Sequence, residues 1–267
     1  MEEIIFSVLM LFQVSGNIVK GTATGFFYEY KERLYIITNR HVVDYSTKDP
    51  DAKLIFKVHQ DSIDMTKQLS ITVPLNEKGK IKWYGYSDTS IDVVAIPVEK
   101  SLFTNCKIIP LSIKNFPPKN LLLGIGEELF AVGYPRGFTD QKNLTPIVKT
   151  TIVSTPPEIP FEGKPMMLLD GNLLPGMSGS PIITKPSKMR NIEMGFSVSN
   201  KKEFYLVGIH SASFSKTIGM KKEPIYIVKD GQIQISGFTE EPIQEKLGLQ
   251  TCIFNGVIEG LVSQIKQ

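Results

Sequence analysis

The sequence predicts an all-β, antiparallel architecture, a sandwich or barrels, and three observations carry that expectation. Short runs rich in β-branched and aromatic residues recur along the chain, each bounded by Gly, Pro, Asn, Asp or Lys clusters. Helical spacing of apolar residues appears only near the end. The 267 residues, 42% hydrophobic and 21% charged, suffice for one large or two small β domains with a substantial core, and argue against disorder.

Taken in order, "IIFSVLMLF" (Ile4 to Phe12) has the length of a signal-peptide core. Acidic Glu2 and Glu3 precede it, no small-x-small cleavage site follows, and it is too short to span a bilayer. It reads best as a buried strand paired with "NIVKGTATGFFYEY" across Ser15-Gly16-Asn17, with a signal or anchor as the alternative. "RLYIITNRHVV", "AKLIFKVHQ", "LSITVPL" and "IDVVAIPV" follow as strands. The polar, proline-bearing "SIKNFPPKN" (Ser112 to Asn120) breaks the pattern and is the candidate linker. Beyond it come "ELFAVGYP", "PIVKTTIVST", "PMMLLDG", "SPIITK", "FYLVGIHSAS" and "PIYIV". In the tail, Val257, Ile258, Leu261, Val262 and Ile265 fall at helical spacing.

Thirty basic and 27 acidic residues are spread along the chain for a net charge of +3, without the charge block of a nucleic-acid arm. Neither nucleic acid nor a membrane is therefore an expected partner. Two cysteines, Cys106 and Cys252, argue against a disulfide framework and point to a reducing, cytoplasmic compartment. They do not form a zinc-type cluster, and neither a metal nor a cofactor is expected.

"LLPGMSGSPIIT" (Leu173 to Thr184) sets Ser178 in a glycine-rich turn, which is either an ordinary loop or a hydroxyl on display. A serine hydroxyl needs an imidazole to take its proton and a carboxylate to orient that imidazole. Of three histidines, His59 in "KVHQDS" reads as a surface residue, while His41 ends an apolar strand that delivers it into a turn. Asp92 stands at the mouth of the apolar run "IDVVAIPV", where a carboxylate needs a partner. Asp88 fits a turn residue bonding nearby backbone amides. An α/β-hydrolase fits poorly, because a strand signal follows Ser178 where that fold needs a helix. Neither cysteine has a glycine turn or a histidine neighbour, so a cysteine nucleophile is disfavoured.

The order His41, Asp92, Ser178, with "GTATGFFY", "ITNRHVVD", "IDVVAIPV", "GEELFAVGYPRG", "PGMSGSPI" and "LVGIHSA", resembles the chymotrypsin-like serine proteases, nearest to the bacterial branch of HtrA-like proteases and glutamyl endopeptidases. The resemblance spans Gly21 to Ile227. It implies two antiparallel six-stranded Greek-key barrels: 1–112 carrying His41 and Asp92, a linker at 113–121, 122–254 carrying Ser178, and a helix at 255–267. It implies a serine endopeptidase with an acyl-enzyme at Ser178, His41 as base and acid, Asp92 as its orienter, and an oxyanion hole from the amides of Gly176 and Ser178.

The same resemblance places Leu173, Ile209, His210, Ser211 and Ser213 against the substrate, with Ile209 to Ser213 adding to its backbone as a strand. It makes His210 a reader of Glu or Gln before the cleaved bond, although Leu173 stands where such enzymes carry a hydroxyl residue. The residue-level alternative is a packed His210 satisfied by a backbone carbonyl. Met177 replaces the aspartate that pairs with a freshly cut N-terminus in the animal enzymes. The site is then preassembled or organised by an activating or sensor partner, as in a stress or phage-defence system. The rival from another class is a peptide-binding or partner-regulated module with little hydrolysis.

Overall fold

The N-terminal apolar run, in a computed structural model that describes residues 2–229 and 232–265, opens with a 3-10 helix, Glu2–Phe6, and continues as strand β1 (Val8–Ser15). Gly16, at φ 55°, turns the chain into β2 (Ile18–Tyr30), with Val8 opposite Phe26. β3 (Arg33–Thr38) runs into a single helical turn, α1 (Arg40–Val43). β4 (Ala52–His59) and β5 (Gln68–Pro74) follow, then the two-residue strands β6 (Asn76–Glu77), β7 (Lys80–Ile81) and β8 (Tyr84–Gly85), and β9 (Val94–Val98). The first sheet has the order β5-β4-β1-β2-β3-β9-β8. Six of its strands are full length, and the short β8 is a seventh at the edge.

The stretch after it is not featureless. A 3-10 turn, Ile113–Asn115, is capped when Ser112 Oγ accepts from the Lys114 amide and Asn115 Oδ1 accepts from the Ser112 amide. The second half contains β10 (Glu128–Gly133), β11 (Ile147–Val153), β12 (Met166–Asp170), β13 (Pro181–Thr184), the outlying hairpin β14 (Ser187–Ile192) and β15 (Gly195–Glu203), β16 (Leu206–Lys229) and β17 (Gln232–Phe254). Its closed six-stranded barrel runs β10-β11-β12-β17-β16-β13.

Three apolar clusters hold the halves and join them. Phe27, Phe56 and Phe103 pack inside the first sheet with ring centroids 5.0 to 6.5 Å apart, each burial stabilising by about 2–3 kcal/mol. Leu129, Met167, Leu169 and Ile182 fill the barrel. The third cluster crosses between them, joining Val8, Phe26, Tyr35 and Ala95 of the first sheet to Val132, Ile183 and Ile209 of the barrel. The C-terminal helix α2 (Asn255–Gln264) adds Val257, Ile258, Leu261 and Val262 to it, the face its spacing marks.

His59 is corrected by the fold: it is buried, not superficial. Its Nε2 lies 2.7 Å from the Asn143 carbonyl and its ring meets Phe6 edge-on at 5.7 Å, so it bridges the halves. The other departure is length. β16 and β17 run far past the barrel as a two-stranded ribbon paired as far as Lys229 and Gln232, where the sequence marks only "FYLVGIHSAS" and "PIYIV". Among the described residues, no helix is long and apolar enough to cross a membrane.

Candidate active site

β3 is buried along most of its length, and Asn39, just past its end, stands at the N-cap position of α1 without a side-chain bond to the helix. The Asn39 side chain donates to the Asp92 carbonyl at 2.7 Å, locking the loop before β9 against the end of β3. His41 is thereby set beside Asp92. Asp92 Oδ2 is 2.7 Å from His41 Nδ1, and Oδ1 accepts the His41 backbone amide at 3.0 Å. A third donor comes from the barrel, where Ser211 Oγ reaches Oδ2 at 2.6 Å. Burial works to raise the Asp92 pKa, but the His41 contacts and the Ser211 hydroxyl outweigh it, holding the carboxyl below its usual range. A charged Asp92 fixes the proton of a neutral His41 on Nδ1 and leaves Nε2 as an acceptor.

The turn carrying Ser178 is clamped from both halves. Gly176 has φ 92° and Gly179 φ 87°; a Cβ on Gly176 would lie 2.6 Å from the Tyr134 carbonyl and one on Gly179 2.0 Å from the Thr24 carbonyl. Thr24, on β2, holds the turn by three bonds. Its amide donates to the Ser178 carbonyl at 2.9 Å, and its hydroxyl donates to the Gly176 carbonyl at 2.8 Å and accepts the Tyr134 amide at 3.1 Å.

Within the turn, the amides of Met177, Gly179 and Ser180 donate to the carbonyls of Leu174, His210 and Met177. Among the described residues, those of Gly176 and Ser178 have no partner. Two unpaired donors two residues apart are what an oxyanion would need. Met177 is fully buried in the barrel core.

A cavity of about 710 Å³ opens here, lined by His41, Leu173, Ser178, His210, Ser211 and Ser213 among others. Of the catalytic, oxyanion-hole and substrate-contacting residues expected from the sequence, its lining lacks only Gly176, Ile209 and Asp92, which sits behind His41. Ile209 is corrected: it is wholly buried in the cluster between the halves, its backbone paired between Pro181 and Ile253. The Ser211 hydroxyl is also reassigned, being committed to Asp92. Ser213 Oγ donates to Gln250 Oε1 at 2.9 Å, and Gln250 Nε2 donates to the Gly171 carbonyl at 2.8 Å. Thr24, Asn39 and Gln250 carry no signal in the sequence, because their partners are distant in the chain: Thr24 meets Gly176 and Tyr134 of the other half, Asn39 meets Asp92, and Gln250 meets Gly171.

His210 is 3% exposed, with Nδ1 3.3 Å from the Thr251 carbonyl. Burial drives its pKa down to about 4, so it is neutral at physiological pH, with the proton on Nδ1. No hydrogen bond joins His41 to Ser178 among the described residues, although both line one cavity.

Residues 23–189, more than half of the chain, match the family described as the trypsin-like peptidase domain. The chain belongs to the trypsin-like peptidases. No curated protein matches this peptidase. Among solved structures it is similar to the serine endoprotease from Yersinia pestis, with 17% identity, a TM-score of 0.47 and coverage of 97% of this chain and 62% of that one. It is also similar to the Rv3671c protease of M. tuberculosis H37Rv in its inactive form, with 13% identity, a TM-score of 0.46 and coverage of 98% and 89%. The peptidase thus spans less than two thirds of the Yersinia chain.

Proposed function

We propose that this peptidase is a serine endopeptidase working through His41, Asp92 and Ser178. The observation that carries the reading is the convergence on one cavity of Ser178, the His41–Asp92 pair and the two unpartnered amides. Ser178 Oγ attacks the substrate carbonyl carbon while His41 Nε2 takes its proton. The resulting oxyanion accepts from the Gly176 and Ser178 amides, each worth about 3 kcal/mol. His41 returns the proton to the departing amine, and the acyl group stays on Ser178 as an ester. Water, deprotonated by His41, then hydrolyses it.

The substrate backbone adds to the edge of β16 at Ser211–Ser213, and the side chain before the cleaved bond enters the cavity. A neutral His210 with Nδ1 engaged offers only an acceptor at Nε2, which suits the amide of Gln better than the carboxylate of Glu. The turn is held by Thr24 without an aspartate in place of Met177, which supports a preassembled site with no activating cut. Free cysteines at 106 and 252 suit a reducing compartment. The units 1–112 and 122–254, joined by 113–121, meet along the cleft.

The test is labelling by a fluorophosphonate probe. Wild type should label, and Ser178→Ala and His41→Ala should not. A correctly folded wild type that stays unlabelled overturns the hydrolytic reading and leaves a peptide-binding cleft.

A further inference from the structure

The ribbon formed by β16 and β17 has no part in the chemistry above, yet it is continuous with the cavity. Ser211, Ala212 and Ser213 of β16 and Lys246, Gly248 and Gln250 of β17 line the cavity, and the same two strands run on to Lys229 and Gln232. At about 3.3 Å per residue, β16 beyond Ser213 extends for about 50 Å.

One edge of β16 is taken by β17. The other is paired to β13 only from Leu206 to Ile209, and from Ser211 outward no strand among the described residues lies on it. Long unpaired edges are templates for another strand. A strand that adds beside Ser211–Ser213 has one direction open, because β13 blocks the other. It must run outward along the ribbon.

The ribbon has two unlike faces, since residues opposite each other in the register share a face. One carries Pro224 opposite Phe238, Tyr226 opposite Ile235 and Val228 opposite Ile233. These three pairs are apolar, with Lys222 opposite Glu240 next to them on the same face, and Phe238, Val228 and Ile233 are 62%, 73% and 74% exposed. The other face carries Lys221 opposite Glu241, Glu223 opposite Thr239 and Ile227 opposite Gln234. The strands also differ in charge. β16 beyond the barrel holds Lys216, Lys221, Lys222 and Lys229 against one acid, Glu223. Of the four, only Lys221 is in an ion pair among the described residues.

We infer that the free edge of β16 is an extended docking track for the substrate polypeptide on the acyl side of the cleaved bond. The inference rests on the hydrolytic reading only for which side of the bond is held. The segment it fits is extended, with apolar side chains alternating with acidic ones, so that the apolar set lies over the Tyr226–Ile235 face and the acids on the other face meet Lys216 and Lys229. Backbone pairing supplies affinity and the alternation supplies register.

The test uses two fluorogenic peptides with Gln before the cleaved bond, one with about three residues upstream and one with about fifteen alternating Val or Ile with Glu. Two ribbon variants accompany them. One replaces residues 218–243 by Asn-Gly, a two-residue hairpin turn; the other is Tyr226→Ser/Val228→Ser/Ile233→Ser, which keeps the ribbon. Wild type should cleave the long peptide at least tenfold better in kcat/KM, chiefly through KM. Both variants should lose that preference and cleave the short peptide at the wild-type rate. A binding titration of both peptides on Ser178→Ala should give the same tenfold preference, and it reads the ribbon even if neither peptide is cleaved, which separates failure of the track from failure of the hydrolytic reading. Equal handling of the two peptides by wild type, or a preference that survives both variants, overturns the inference. So does a concentration-dependent dimer that disappears in the variants while peptide preference is absent, which would assign the ribbon to a second copy of the chain.

Discussion

Thr24 holds the turn of Ser178, the proposed nucleophile, through contacts to the turn's backbone alone. Its hydroxyl is buried between the Gly176 carbonyl and the Tyr134 amide, so Thr24→Val leaves both without a partner at about 1–3 kcal/mol each. The variant should lower kcat about tenfold with little change in KM and reduce stability by about 2–4 kcal/mol, whereas Thr24→Ser should recover most of both. Peptide kinetics beside thermal melts would measure this; a Thr24→Val enzyme with wild-type kcat would contradict the clamp. His210 gives a pH prediction. Its pKa falls from about 6.5 when unfolded to about 4 when folded, so the unfolded state binds more protons between these values. Its stability contribution is therefore complete above pH 6.5 and lost as pH falls toward 4, by about 2–3 kcal/mol. His210→Gln should flatten the melting temperature over that window relative to wild type, and parallel curves would refute the assignment. The acid-sensitive residue is a histidine kept neutral; Asp92, held below its usual range, stays charged through the same window.

At the scale of elements, the turn from Pro175 to Ser180 tolerates no side chain at Gly179. The Cβ of Gly179→Ala would collide with the Thr24 carbonyl at 2.0 Å, and φ 87° strains any L-residue. We expect a loss of at least about 3 kcal/mol and no probe labelling, read from denaturant melts and gels; a stable, active variant would mean that the turn can move away from β2. Strands β1 to β5, β9 to β13, the barrel part of β16 and the face of α2 were legible in the sequence because their alternation or spacing is regular, whereas the two-residue strands, the hairpin β14–β15 and the closing strand β17 were not. Nor was the ribbon. Gly219, Pro224, Gly237 and Pro242 look like breakers, and the register slips between Thr217 and Gly219 and between Ile225 and Tyr226. In a two-stranded ribbon each strand has a free edge, where a proline needs no hydrogen-bond partner. What terminates a central strand is therefore tolerated here. His59 was misread for a related reason: its neighbours in "KVHQDS" are polar, but its partner Asn143 comes from the other half of the chain.

For the whole molecule, the cluster shared by the first sheet, the barrel and α2 predicts one cooperative unfolding transition. Calorimetry should give a single peak, and Leu261→Ala should shift it downward, at a cost of about 2–4 kcal/mol, without splitting it. Two resolved peaks would show that the halves fold separately. The residue types and order of the proposed triad left local marks in the chain: a strand end at His41, an acid at an apolar run at Asp92 and a glycine turn at Ser178. The reach of Ser211 to Asp92 and of Thr24 to Ser178 could not, since each is a contact between halves.

Those contacts also set when the proposed site can assemble during the protein's own synthesis. His41 and Asp92 leave the ribosome first, and Ser178 follows, but β17 closes the barrel by pairing Leu249–Ile253 with β12, and holds β16 in place through Phe254. Until that last strand emerges, Ser211 has no fixed position from which to reach Asp92. On the proposed mechanism a nascent chain thus carries His41, Asp92 and Ser178 for some 70 residues of translation before the site that would use them can assemble.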